Sequence, residues 1–331
     1  MKVVFFQRKR RKFGNYSIEN IFDGLRQLLP ESIIQKLFLS KFENKGFFKR
    51  IFDIINAAFN QGDVNHITGD VHFLNFLMVK KKTILTIHDC GFMNNSFGIK
   101  KRILKLFWIT LPVKKSAYIT FVSESSKNEL LKYVNVDKEK LIVIPVFVGF
   151  HFIPYPKIFN TNKPRILQLG TATNKNIERL IGALTGLNCE LYIVGLLNDE
   201  LIIKLKQNNI EYKNLANLTN GEILEQYILC DIVSLISTYE GFGIPIIEGN
   251  SVERVVITSN VLSMPEVADN AACLVDPFDI ISMRDGFNKI INDHAYRKQL
   301  IENGRKNKLK YLPQTIVDRY VNLYYKVFNG S

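Results

Sequence analysis

Residues 237–250 read STYEGFGIPIIEGN. Two carboxylates, Glu240 and Glu248, bracket the turn Gly241-Phe242-Gly243-Ile244-Pro245, and the apolar run DIVSLIS (231–237) leads into it. A short β-branched run ending in a glycine turn reads as a buried strand. Gly241 and Gly243 let backbone approach a ligand closely. Pro245 suits the first turn of a helix, where its missing N–H costs nothing. A helix from about Gly243 would aim the N–H groups of Phe242, Gly243 and Ile244 at an anion such as phosphate. Ionised carboxylates only accept hydrogen bonds, and phosphate repels them, so Glu240 and Glu248 are expected to face hydroxyls. The plainer alternative makes Glu240 a cap and Glu248 a solvent-facing helix residue.

Working outward, the same strand–helix rhythm repeats. RILQLG (165–170), ELYIVG (190–195), EYKNL (211–215), VVITSN (255–260) and ACLVD (272–276) alternate with helical stretches, one of them from Asn174. In the first half, KVVFF (2–6), VNHIT (64–68), TILTIHD (83–89), YITFVS (118–123) and LIVIPV (141–146) alternate with Ile18–Leu29, Phe47–Phe59 and 124–134. Residues 31–42 fit either strand or helix. Such alternation implies parallel sheets with helices on both faces. The expectation is an α/β protein of two doubly wound, Rossmann-like domains facing across a cleft. The first spans 1–150, and 165–311 forms the second. The proline-bearing stretch 151–164 would link them. A last helix, 312–331, carries the stripe Tyr320, Leu323, Tyr324 and Phe328, which needs a surface and would pack back on the first domain.

Length and composition agree. A chain of 331 residues suggests about two domains, and 47% hydrophobic residues argue against global disorder. Four scattered cysteines without a CxxC pair indicate neither a zinc site nor a disulfide framework, and they fit a reduced, cytoplasmic setting. The opening MKVVFFQRKRRKFGN lacks a signal-peptide core. No run reaches the roughly 18 apolar residues of a membrane span.

The net charge is +13, and all of the excess lies in the first 150 residues. Its densest clusters are QRKRRK (7–12), KKK (80–82) and KKRILK (100–105). An anionic partner or a merely solubilising surface both account for it. Ile99–Leu111 (IKKRILKLFWITL) reads equally as an amphipathic helix on an anionic membrane and as a core helix with a basic outer face. No nucleic-acid motif accompanies the charge, so nucleic acid is not an expected partner. His66, Asp70 and His72 straddle a strand-to-helix turn and make a poor metal set. No D-x-D motif occurs, and no metal is expected.

The string E-G-F-G-I-P-x-x-E resembles the signature of glycosyltransferase family 4, retaining nucleotide-sugar transferases of the GT-B architecture. Leu224–Ser237, Thr258–Glu266 and Ala271–Pro277 are similar to the segments around that signature. GDVHFL (69–74), ILTIHD (84–89) and FVSESSKNEL (121–130) are similar to looser landmarks. The resemblance implies a glycosyltransferase acting on a nucleoside-diphosphate sugar and a glycan or lipid-linked acceptor, on the inner face of the cell membrane. By the same resemblance Glu240 contacts sugar hydroxyls, Glu248 the ribose, and the backbone of Phe242, Gly243 and Ile244 the sugar and phosphate. Lys175 would grip the diphosphate and His88 would face the donor sugar. Gly14 would belong to the first domain's glycine loop, and Tyr212 to Leu215 would meet the base. Two departures stand out: Thr171 and Asn174 occupy positions where many members carry an arginine, and Glu253-Arg254-Val255 replaces a Gly-x-Pro. The alternatives are a non-catalytic relative of that architecture and, from the charge alone, a basic nucleic-acid-binding protein.

Overall fold

The computed structural model describes residues 1–9, 17–42, 46–94 and 96–330. Gly14 and residues 10–12 of the basic run lie outside them. The chain forms two units, Met1–Phe147 with Pro313–Ser331, and Val148–Leu312.

The first unit holds strands β1 (Lys2–Gln7), β2 (Ile34–Leu39), β3 (Val64–Ile67), β4 (Thr83–Ile87), β5 (Tyr118–Phe121) and β6 (Leu141–Val143). They lie in the order β2-β1-β3-β4-β5-β6, all parallel. The ambiguous stretch 31–42 is therefore an edge strand, paired only with β1. β1, β3 and β4 are buried on both faces, which is why they read as unbroken apolar runs instead of alternating ones. The helix Pro313–Asn329 covers one face. Its Ile316, Val317, Tyr320, Leu323, Tyr324 and Val327 share a core with Val3, Phe5, Phe22 and Ile84.

The second unit holds β7 (Arg165–Leu169), β8 (Glu190–Val194), β9 (Tyr212–Leu215), β10 (Ile232–Leu235), β11 (Val255–Ser259) and β12 (Cys273–Val275). Their order is β12-β11-β10-β7-β8-β9, again all parallel. From β7 the chain steps outward through β8 to β9. It then returns to β10 on the other side of β7 and steps out through β11 to β12. The gap between the carboxyl ends of β7 and β10 is thus the switch point where open α/β sheets bind ligands. In the first unit the same reversal falls between β1 and β3.

Of Ile99–Leu111, only Ile109 is buried, and the helix widens to a π turn over Lys105–Thr110. Phe47–Phe59 is a helix as its period predicts. All four cysteines are buried thiols.

Candidate functional site

The opening stretch folds as its residue types dictate. β10 ends at Leu235, and Gly243 sits at φ 104° as the N-cap of the helix Ile244–Ser251, with Pro245 in its first turn and no side chain capping it. The left-handed backbone calls for glycine, and a Cβ there would also press on Ile246 Cδ1 (3.1 Å) and Leu235 Cδ2 (3.3 Å). Ser263 Oγ latches the turn from below, donating to the carbonyls of Glu240 (2.9 Å) and Phe242 (3.0 Å).

The matching turn after β7 differs from expectation. Thr173–Lys175 is a single 3-10 turn, Asn176 is left-handed (φ 58°), and the helix begins only at Ile177. Asn176 tolerates this backbone because its Nδ2 donates to the Pro277 carbonyl at 2.7 Å. The reversal folds the Lys175 side chain across Gly170, where a Cβ would lie 3.0 Å from Lys175 Cε. The two turns are tied together: Asn174 Nδ2 donates to the Tyr239 carbonyl (2.8 Å), and the Thr238 N–H donates to the Asn174 carbonyl (2.8 Å). Asn174 is thus a brace at the position where relatives were expected to carry a cation. Thr171, the other such position, lies against Gly195.

This brings Lys175 and Glu240 together across the switch point, Nζ to Oε1 2.6 Å, and Ser237 Oγ donates to the same oxygen at 2.7 Å. Glu248, partly buried, accepts from the buried Tyr227 hydroxyl, so its side chain is not simply turned to solvent. Burial pushes its carboxyl up to about 7, against the lowering pull of that hydrogen bond. Sequence reasoning missed Tyr227, Ser237 and Ser263; only their placement ahead of and behind the signature hinted at them. Leu215 ends β9 on the carboxyl side. Tyr212 starts the same strand at its amino end, partly buried against the core, so the structure does not bring it to the site.

In the first unit, His88 follows β4 and donates from Nε2 to the Thr68 carbonyl at 2.7 Å, leaving Nδ1 as the ring's acceptor. Its ring lies over Gly69, where a Cβ would be 2.6 Å from His88 Cδ2. At the β1/β3 switch point Arg8 pairs with the buried Glu19 (2.6 Å) and with Asp70. That arginine of the basic run is therefore neutralised. His66 is spoken for by the Tyr324 hydroxyl (2.8 Å) and Thr86 Oγ1 (2.7 Å), and His72 by the Trp108 carbonyl. Among the described residues no three His, Cys, Asp or Glu side chains converge as metal ligands.

A cation–carboxylate pair at the switch point, beside an uncapped helix N-terminus, is an arrangement for a polyhydroxylated anion. The family description "Glycosyl transferases group 1" matches residues 152–307. Residues 152–307 are a group 1 glycosyl transferase domain. Both sheets follow the GT-B-like fold of solved relatives. The sucrose-phosphate synthase of Thermosynechococcus elongatus superposes with TM-score 0.80 over all of both chains at 14% identity. Anabaena HepE, solved with UDP and glucose, gives 0.78 over 98% of this chain and all of that one, at 13% identity. By sequence the chain is 26% identical to the serotype-specific mannosyltransferase WbdA of Escherichia coli, over 90% of this chain and 42% of that protein. It is 22% identical to the O-antigen chain mannosyltransferase B of Escherichia coli over 62% of this chain and 60% of that protein. The chain spans about two-fifths of the length of WbdA. Among the described residues no helix is long and apolar enough to cross a membrane.

Proposed function

We infer that this protein transfers a hexose from a nucleoside-diphosphate sugar to a glycan or lipid-linked acceptor, with retention of anomeric configuration. The mannosyltransferases among its relatives make mannose the first sugar to test. The observation that carries the reading is the Lys175–Glu240 pair at the β7/β10 switch point. Without donor, each charge satisfies the other. An incoming diphosphate competes for Lys175 and releases Glu240 to accept from sugar hydroxyls. Glu248 takes the ribose, and the N–H groups of Gly243 and Ile244 face the phosphate. As the bond from C1 to the phosphate oxygen breaks, Lys175 stabilises the charge growing on the leaving group. The acceptor oxygen bonds to C1 on the same face, and its proton passes to the leaving phosphate oxygen. No carboxylate nucleophile is needed, and no metal takes part. His88, through Nδ1, accepts from a sugar hydroxyl.

The test is a thermal-shift panel with UDP, GDP, ADP and their sugar conjugates. One nucleotide is expected to stabilise the wild type and not Lys175→Ala. The anomeric configuration of the product, read by NMR with the matching donor, then checks retention. No stabilisation by any nucleotide, or turnover surviving in Glu240→Ala, would overturn the assignment.

A further inference from the structure

The helix Phe47–Phe59 is built inside out. Its inward face carries Arg50, Asp53 and Ala57 beside one large apolar residue, Ile54, with Asp53 only 1% exposed. Asp53 accepts from the backbone N–H groups of Lys41 (2.9 Å) and Phe42 (3.4 Å). Arg50 stacks its guanidinium 4.6 Å above the Trp108 ring. The outward stripe is apolar instead: Phe48 (83% exposed), Phe52, Ile55 and Phe59 (85% exposed) recur at helical spacing, flanked by Phe47 and Ile51. Folding alone does not explain phenylalanines turned to water over charges turned inward.

From its inward face the helix is tied to a second segment, 97–114, by the Arg50–Trp108 stack, and Phe107 of that segment meets Phe76 with ring centroids 6.2 Å apart. That second segment exposes Ile99 (78%), Ile103, Leu106 and Phe107. From residue 97 to 115 the sequence has six lysines and arginines and no acid. On Phe47–Phe59 the only acid is the buried Asp53, while Lys49 is exposed. Apolar residues interleaved with uncompensated cations, on helices too short to span, match the headgroup boundary of an anionic bilayer.

We propose that the joint face of Phe47–Phe59 and residues 97–107 rests in an anionic lipid surface, with the phenylalanines inserted and the lysines at the headgroups. The proposal adds to the transfer reading a place where a lipid-linked acceptor would be met, and rests on that reading for this acceptor only. A second copy of the chain is the competing occupant; the four cations Lys100, Lys101, Arg102 and Lys105 argue against it, because two such faces would repel.

The test is flotation of the full chain with phosphatidylglycerol/phosphatidylcholine vesicles and with pure phosphatidylcholine vesicles. Binding is expected to the anionic vesicles alone and to fall at high salt. Phe48→Ser/Phe52→Ser/Phe59→Ser is expected to lower partitioning at least about tenfold, with a thermal midpoint little changed, because Phe48 and Phe59 are more than four-fifths exposed and the half-exposed Phe52 meets the surface neighbours Phe42 and Lys41. Lys100→Glu/Lys101→Glu/Lys105→Glu should do the same through charge. Lys175→Ala should float like the wild type, which separates this surface from the donor site. Wild type left unbound at low salt, or a triple serine variant that floats as well as wild type, would overturn the proposal. So would light scattering that shows a wild-type dimer converted to monomer by the serine variant.

Discussion

Glu248 carries its charge at a cost. Its folded-state carboxyl sits at about 7 against an ordinary 4.5, so between those values the folded protein holds a proton that the unfolded chain has released. Stability is therefore lost as pH rises through that window, by up to about 3 kcal/mol once both states are ionised. Glu248→Gln keeps a partner for Tyr227 and removes the titration. Its thermal midpoint should exceed that of wild type at pH 8, and the advantage should disappear by pH 5; parallel midpoints across this range would contradict the account. The Lys175–Glu240 pair gives a second expectation at this scale. Lys175→Ala strands a poorly exposed carboxylate with Ser237 as its remaining partner, costing on the order of 1–3 kcal/mol. Lys175→Met/Glu240→Gln removes both charges and should recover most of that loss in urea unfolding. The two glutamates stood out in the sequence because their spacing about a glycine turn is unusual. Their partners were not. Lys175 lies 65 positions before Glu240 and Tyr227 lies 21 before Glu248, and only sheet order brings such distant residues together.

At the scale of elements, the turn Gly241–Pro245 could be read almost residue by residue. Gly243 must be left-handed, and Pro245 belongs in the first helical turn. Gly243→Ala is expected to cost about 1–3 kcal/mol and, on the proposed reading, to abolish stabilisation by nucleotide, because the left-handed backbone carries the N–H groups proposed to meet phosphate. Pro245→Ala should change either by far less, and equal effects of the two substitutions would argue against this turn as the site. Elsewhere local signals gave less. The helix after β7 starts three residues later than its pattern suggests, because Asn176 trades helical backbone for a buried hydrogen bond to Pro277. β2 stayed ambiguous because an edge strand buries little: among its six residues only Phe38 is buried, so no alternation is imposed on the rest. Phe47–Phe59 shows the sharper limit. Its helical period was plain, yet period says only which residues share a face. It does not say which face meets the core, and here the apolar stripe is the outer one.

At the scale of the whole chain, the last helix completes the first of the two sheets. Its stripe was legible, since Tyr320, Leu323 and Tyr324 all turn inward, although Phe328 stays partly exposed. What no pattern could show was the polar tie beneath it. The Tyr324 hydroxyl meets His66 Nδ1, whose Nε2 meets Thr86, which in turn meets Thr120 across β3, β4 and β5. Burial drives the His66 ring's affinity for a proton down to about 3, so it stays neutral at any physiological pH and the network holds. Six side chains of this helix are buried, each contributing about 1.5–3 kcal/mol. Their sum rivals the 5–15 kcal/mol that holds a typical domain together. Truncation after Leu312 should therefore unfold the first unit, exposing Val3, Phe5 and Ile84. The second-unit cluster that includes Ile166, Leu191 and Ile257 contains no residue of 313–331, so it should keep its own protection. Hydrogen exchange read by mass spectrometry separates the outcomes. Loss of protection confined to β1–β6, with β7–β12 slow to exchange, is expected. Native protection throughout the first sheet in the truncated chain would mean that the helix only covers a core already closed without it.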